Sequence, residues 1–187
     1  STMLNMLGGL DTLDAGDLTI EGRSLIGLTP KERTLYRKEE AGFVFQFYNL
    51  IPDLTVEENI EVVSDISESP LDLSEVLGAL ELEPYRRRFP RELSGGQQQR
   101  AAIARAMIKN PKLLLCDELT GALDTRSSKN VLQFVEKMNR QYGTTVVIIT
   151  HNEAIAKMAD QIIWIRDGRV EKSVFNEKKI PAEELEL

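Results

Sequence analysis

Two uninterrupted apolar runs, residues 113–116 and 146–149, dominate the second half of the chain. Between them, apolar residues recur at helical spacing before Gly143, at Val131, Leu132, Val135 and Met138. Strands without a polar face are typical of a parallel sheet covered on both sides, with the helix as a right-handed crossover. The pattern predicts an α/β fold whose ligands gather at the carboxyl ends of the strands.

The other strand signals lie at the two ends of the chain. Residues 18–22 and 41–45 have strand-like composition, and the charged stretch between them, residues 30–40, is helix-prone. Near the C-terminus, residues 162–166 and 170–175 flank an Asp-Gly pair, which predicts a hairpin with a two-residue turn. The acidic tail from Glu183 is predicted to be solvated.

Residues 54–110 carry no strand signal and predict a helical insert. Two capping-box patterns begin helices there, Thr55 with Glu58 and Ser94 with Gln97. We therefore expect a single domain over residues 1–187. Its core comprises residues 1–53 and 111–187, and residues 54–110 form a helical subdomain.

Charge and composition exclude several classes of protein. The net charge of −7 argues against a nucleic-acid-binding protein, because such binding depends on clustered Lys and Arg. No apolar stretch approaches the roughly 18 residues that cross a bilayer. Cys116, the single cysteine, can form no internal disulfide, and this fits a reducing compartment.

Two adjacent carboxylates, Asp117 and Glu118, follow the first apolar run. Burying charge without a partner is costly, so a Mg²⁺ ligand beside a water-orienting base is the economical interpretation. The alternative is a pair of solvated acids at a strand end. His151, the only histidine, follows the second apolar run. A lone histidine is usually structural, but this position at a neighbouring strand end favours a catalytic one.

A pair of glycines, Gly95 and Gly96, stands at the start of the helix that Ser94 and Gln97 cap. Without side chains, the backbone N–H groups there can face an anion at the positive end of the helix dipole. This predicts a phosphate-binding geometry that needs no lysine. Taken alone, the same segment could be a flexible loop and a helix cap.

Five motifs occur in order: Gln46 after Phe-Val-Phe, Leu-Ser-Gly-Gly-Gln-Gln-Gln-Arg at residues 93–100, residues 112–118, Ala-Leu-Asp at residues 122–124, and His151 after Ile-Ile-Thr. They resemble the Q-loop, signature, Walker B strand, D-loop and switch histidine of ATP-binding-cassette (ABC) transporter ATPases. The chain is most similar to the branch that powers lipoprotein release and macrolide or peptide export. The resemblance implies a P-loop NTPase-like ABC ATPase core, a mainly parallel sheet flanked by helices, with a small helical subdomain.

The resemblance also implies a mechanism with ATP and Mg²⁺ as cofactors. Asp117 and Gln46 help to hold the metal, and Gln46 reaches the metal or the water. Glu118 polarises the attacking water and His151 contacts the γ-phosphate. The implied reaction is in-line phosphoryl transfer to water.

Partners follow from the same resemblance. Ser94, Gly95, Gly96 and Gln97, together with Asp124, are expected to contact nucleotide, and the signature serves the ATP of a second subunit in a head-to-tail dimer. Residues 47–52 are expected to meet an integral membrane permease subunit; their alternative is a small hydrophobic core. The implied location is cytoplasmic, peripheral on the inner face of the cell membrane, with no nucleic acid partner.

The chain departs from the family at two places. Ser1 and Thr2 align with the last two positions of the Walker A loop, where the serine binds Mg²⁺, and the loop's glycines and lysine have no counterpart. We expect an N-terminally truncated chain that alone is inactive and poorly folded. Either an upstream segment precedes Ser1 or the protein is truncated; the intact downstream motifs favour the first. Leu119 stands where the family usually has proline, which predicts a modest effect on rate.

Two other functions stay open. A catalytically silent or regulatory ABC-like binding module would explain the missing phosphate loop. A DNA-repair or translation ATPase of the same superfamily is disfavoured, because the chain has neither a long coiled coil between its motifs nor a second cassette.

Overall fold

The computed structural model describes residues 2–187, so the predicted Mg²⁺ and phosphate contact at Ser1 lies outside the described residues. Its helices are α1 (Thr2–Leu7), α2 (Pro30–Glu39), α3 (Val56–Ser64), α4 (Leu73–Ala79), α5 (Gly95–Met107), α6 (Thr125–Tyr142) and α7 (Glu153–Ala156). Its strands are β1 (Thr19–Ile20), β2 (Arg23–Ser24), β3 (Ala41–Val44), β4 (Leu113–Asp117), β5 (Thr145–Ile149), β6 (Gln161–Arg166) and β7 (Arg169–Phe175). Short 3₁₀ turns lie at Glu83–Tyr85, Pro90–Glu92 and Ala182–Glu184.

The predicted parallel sheet is present, in the order β3-β4-β5. Val44 of β3 pairs with Cys116 of β4, and Asp117 at the end of β4 pairs with Ile149 at the end of β5. Helix α6 makes the crossover from β4 to β5 and ends at Gly143, whose left-handed backbone (φ +71°) suits glycine. The carboxyl ends of the three strands therefore lie at one edge of the sheet.

The two apolar runs differ in burial. The first four residues of β4 are buried, whereas β5 is half-buried and its first residue, Thr145, is exposed. Coverage on both sides was predicted for both strands. It is complete for the first four residues of β4 and partial for β5, where Val146 and Ile148 pack against one hydrophobic cluster and Val147 and Ile149 against the other. Within residues 2–187, β4 pairs with a strand on each side, whereas β5 pairs with β4 alone.

Two antiparallel hairpins lie where the sequence carries short strand signals near the two ends of the chain. At the C-terminus, β6 and β7 pair antiparallel around Asp167 and Gly168, both with positive φ, as predicted. At the N-terminus, the strand predicted for residues 18–22 is present as β1 but is shorter, Thr19–Ile20. Glu21 and Gly22 both have positive φ and turn the chain into β2, which pairs antiparallel with β1.

The C-terminal tail packs against the protein. Ala182 and Leu185 are buried in the main hydrophobic cluster, and the Ala182 N–H donates to a carboxylate oxygen of Glu136 on α6. The solvated tail was predicted from Glu183 onward, and Glu183, Glu184 and Glu186 are exposed as predicted. The prediction was wrong for Leu185, an apolar anchor that the acidic composition concealed.

The helical stretch contains α3, α4 and α5, and both predicted capping boxes are present, at Thr55 with Glu58 and at Ser94 with Gln97. Its buried side chains belong to the same hydrophobic cluster as β4 and α6. A separate core therefore does not mark the proposed subdomain boundaries, and the division stays a prediction. Among residues 2–187, no helix combines the length and apolar character needed to cross a bilayer.

Candidate active site

Glu118 and His151 meet at the edge where the parallel strands end. Glu118 directly follows β4, and its N–H donates to the Ile149 carbonyl at the end of β5 (3.0 Å). His151 lies two residues after Ile149, and its Nδ1 is 2.9 Å from Oε1 of Glu118. The imidazole is 87% exposed and the glutamate side chain 23% exposed. An Nδ1–H that donates to the carboxylate orients both groups and leaves Nε2 facing outward.

The backbone of Glu118 is in the left-handed region, with φ +55°. Such a conformation costs a non-glycine residue about 1–3 kcal/mol and persists only where neighbouring groups hold it. The Glu118 carbonyl accepts hydrogen bonds from the Gly121 N–H and from the side-chain amide of Gln99, both at 3.1 Å. The strained backbone conformation therefore lies at Glu118 itself, the residue whose carboxylate contacts His151.

Asp117 and Gln46 share one cavity of about 300 Å³. Asp117 ends β4, and Gln46 lies exposed on the loop that follows the neighbouring strand β3. Asn5, on α1, lines the same cavity. The structure therefore brings together Asp117 and Gln46, two of the three residues that were predicted to hold a metal, and the third, Ser1, lies outside the described residues.

The residues of this cavity suit Mg²⁺, which binds oxygen ligands and usually keeps several waters and substrate phosphates besides one or two carboxylates. Within residues 2–187, no group of three or more His, Cys, Asp or Glu side chains could hold a metal alone. The carboxylate of Asp117 and the amide oxygen of Gln46 therefore fit Mg²⁺ that arrives with phosphate.

Thr2 begins helix α1, which borders this cavity through Leu4 and Asn5. Leu4 is buried with Leu113 and Leu115 of β4, so the helix packs directly on the central strand. Thr2 itself is exposed. Sequence reasoning missed Asn5, because no motif marks it and only the packing of α1 brings it to the cavity.

At the start of α5, the side chains of Ser94 and Gln97 each accept a hydrogen bond from the backbone N–H of the other residue. Ser94 Oγ accepts from the Gln97 N–H (3.3 Å), and Gln97 Oε1 accepts from the Ser94 N–H (2.8 Å). A Cβ atom on Gly96 would lie 3.4 Å from the Ala122 carbonyl oxygen, and one on Gly95 would lie 3.3 Å from the Tyr48 hydroxyl. This helix start can therefore offer backbone N–H groups and dipole to an anion, with little side-chain chemistry.

Asp124 caps helix α6. Its carboxylate accepts from the Ser127 N–H (2.9 Å) and from the Ser127 hydroxyl (2.8 Å). These hydrogen bonds, the backbone one foremost, stabilise the charged form and hold the pKa of Asp124 below its usual value. Within this chain, the aspartate of the Ala-Leu-Asp motif therefore serves as the N-cap of helix α6.

Gln99, on helix α5, is a second residue that sequence reasoning missed. It is 2% exposed, and its amide bonds to the loop after β4 at three backbone atoms. The available signal was a glutamine on the Ala-rich, buried side of a helix, where an amide needs partners.

The comparisons with known proteins identify the family of the chain. The ABC transporter family model matches residues 1–121. An ABC transporter ATP-binding protein of Mycobacterium tuberculosis, Rv0986, is 38% identical over 184 residues, covering 96% of this chain and 74% of the relative. The macrolide export ATP-binding/permease protein MacB of Escherichia coli is 43% identical over 175 residues, covering 91% of this chain and 27% of MacB.

Other relatives are also longer than the matched region. The MG065 homolog of Mycoplasma pneumoniae, an ABC transporter ATP-binding protein, is 40% identical over 174 residues, and this chain spans 37% of its length. Among solved structures, the ATP-binding cassette MJ0796, a dimer in a post-hydrolysis state with ADP and Pi, is similar with a TM-score of 0.86. The two are 38% identical, and the match covers 94% of this chain and 80% of that one.

Proposed function

The chain belongs to the ABC transporter family, and on this premise we propose that it binds and hydrolyses ATP to drive transport through a membrane partner. The observation that carries the proposal is the 2.9 Å contact between Glu118 and His151 where two parallel strands end. A carboxylate held by an imidazole at this edge is suited to orient a water beside a phosphate.

In this proposal, Glu118 polarises the attacking water, and the outward Nε2 of His151 contacts the γ-phosphate. Asp117 and Gln46 hold Mg²⁺ in their shared cavity. Bound Mg²⁺ supplies charge neutralisation for the phosphate oxygens. The backbone amides at the start of α5 bind phosphate electrostatically. The capping box of Ser94 and Gln97 stabilises that helix start.

We propose a head-to-tail dimer in which Ser94, Gly95 and Gly96 serve the nucleotide of the second subunit. The similarity to a dimeric cassette supports this arrangement. Within one chain, Gly96 lies beside Ala122, and the Glu118 side chain contacts His151. In this proposal, the start of α5 binds the nucleotide of the partner, and the Glu118–His151 pair acts on the nucleotide of its own chain. Residues 54–110, which carry the signature, act as a helical subdomain on a core of residues 1–53 and 111–187.

An integral membrane permease subunit is the proposed second partner. Phe47 is 78% exposed beside Gln46, and Ile51 is exposed four residues later, so an apolar surface adjoins the proposed metal site. MacB, by its name, joins ATP-binding and permease functions in macrolide export. We propose that this chain likewise works at the cytoplasmic face of a membrane in export of a lipoprotein, peptide or macrolide-like substrate.

The test measures ATP hydrolysis and ATP-dependent dimerisation by the full-length protein and by these 187 residues alone. We expect activity in the full-length protein and none in the 187 residues, because none of them supplies the phosphate-loop lysine. Catalysis by the 187 residues would contradict that expectation. A full-length protein that binds ATP and dimerises without hydrolysis would instead support a silent or regulatory module.

A further inference from the structure

Helix α5 and the loop after β4 are joined by one buried side chain, that of Gln99. Its Nε2 donates to the Glu118 carbonyl at 3.1 Å and to the Leu119 carbonyl at 2.5 Å. Its Oε1 accepts from the Ala122 N–H at 3.2 Å. A single amide thus holds three backbone groups of one loop.

The loop that Gln99 holds is the one that sets the direction of the Glu118 side chain. Glu118 has a left-handed backbone, and its carbonyl lies between the Gly121 N–H and the Gln99 amide. A shift of this loop backbone moves the Cα atom of Glu118 and carries its side chain with it. The 2.9 Å contact of the carboxylate with His151 therefore depends on the loop conformation.

The neighbouring glutamine makes no such contact. Gln98 donates to the Leu93 carbonyl at 3.2 Å, on the far side of the helix start. Gln97 closes the capping box with Ser94. Of the three consecutive glutamines, Gln99 alone hydrogen-bonds to the loop after β4 within residues 2–187.

We propose that Gln99 is a positioning residue that holds Glu118 in its catalytic orientation from helix α5. This inference rests on the proposed function, since Glu118 is the base of that mechanism. Gln99 touches neither water nor nucleotide in this role. It acts through the backbone of the Glu118 loop, and its loss lowers the rate of the chemical step more than the affinity for ATP.

The kinetic test compares Gln99→Met with Gln98→Met in the full-length protein. Methionine nearly keeps the volume of glutamine and removes its hydrogen bonds. We expect Gln99→Met to lower kcat about tenfold and to change KM for ATP by less than about threefold, since misplacing a reacting group slows chemistry. Gln98→Met should change neither value. Equal kcat values in the two variants would overturn the proposal.

A spectroscopic measurement tests the same point without turnover. In protein labelled with ¹⁵N-histidine, with His151→Gln to assign the signal, the ring nitrogens report whether Nδ1 carries the hydrogen. We expect the Nδ1–H signature in the wild type and in Gln98→Met, and its loss in Gln99→Met. An unchanged signature in Gln99→Met would show that Glu118 stays in place and would overturn the proposal.

A second variant covers the case in which Gln99→Met does not fold. Gln99→Asn keeps both the donor and the acceptor of the amide on a side chain one methylene shorter, which cannot reach all three backbone groups of the loop. It should give the same loss of kcat and of the Nδ1–H signature. If the wild-type protein hydrolyses no ATP, the proposed function fails, and the histidine spectra still decide whether Gln99 positions Glu118.

Discussion

The Glu118–His151 pair and the start of helix α5 are both candidate nucleotide contacts, but they are built in opposite ways. Glu118 and His151 are 33 residues apart and meet only because two parallel strands end side by side. Ser94 and Gln97 are three residues apart and bond to each other within one helix turn. The first pair offers side-chain chemistry, whereas the second holds a backbone ready to bind an anion.

The largest effect should come from removing the base. Glu118→Gln in the full-length protein is expected to lower kcat for ATP hydrolysis about 100-fold or more, because an amide cannot accept the proton of the attacking water. ATP binding should persist. Glu153→Gln, an exposed change of the same chemistry on α7, is the matched control. A Glu118→Gln protein with the activity of the control would remove Glu118 from the mechanism.

A negative charge introduced at the start of α5 should weaken ATP-dependent dimerisation. Gly96→Asp is expected to weaken ATP-dependent dimerisation about tenfold, because a carboxylate there repels the phosphate that the helix start should bind. Sedimentation of the full-length protein with and without ATP measures this. Gly78→Asp is the control, since a Cβ at Gly78 meets nothing within 4 Å. Equal dimerisation of both variants would refute the role of the helix start.

The capping box should matter for stability. Ser94→Ala removes the side-chain oxygen that accepts from the Gln97 N–H, and we expect the free energy of unfolding to fall by about 1 kcal/mol. Urea unfolding measures the loss. Ser94→Thr retains a capping hydroxyl and should restore most of it. If Ser94→Ala is as stable as the wild type, the box contributes nothing to the helix.

The smallest effect on the rate of ATP hydrolysis is expected at Leu119, the residue after the proposed base Glu118. Leu119→Pro makes the backbone after Glu118 more rigid, while the Leu119 carbonyl can still accept from Gln99, and we expect kcat to rise about twofold. Leu119→Ala, which adds no ring, should give no rise. Steady-state ATP hydrolysis of the full-length variants distinguishes the two. A proline variant without any change in rate would remove the rigidity argument.

Much of the fold was predictable because its signals are local. The capping boxes at Thr55 and Ser94, the left-handed end of α6 at Gly143 and the Asp-Gly hairpin each depend on a few consecutive residues. The strand predicted for residues 18–22 is shorter than expected on equally local grounds, since the positive φ of Glu21 has no compulsory sequence signal.

Two roles could not be predicted from neighbouring residues. Asn5 reaches the cavity of Asp117 only through the packing of α1 on β4. Gln99 holds a loop about 20 positions further along the chain. Its place on the Ala-rich side of α5 indicated that its amide needs partners, but not which backbone groups supply them. Such contacts depend on long-range packing, which periodicity does not encode.

The amino-acid sequence alone determined the helices and strands with strong periodicity, the capping boxes of α3 and α5, and which polar groups follow the central strands. The tertiary structure decided that β4 is central and β5 is at the edge, that Leu185 is buried, and that Glu118 meets His151. The physical reason is that capping and turn formation involve groups a few residues apart. Burial and the meeting of strand ends depend instead on which elements become neighbours in space.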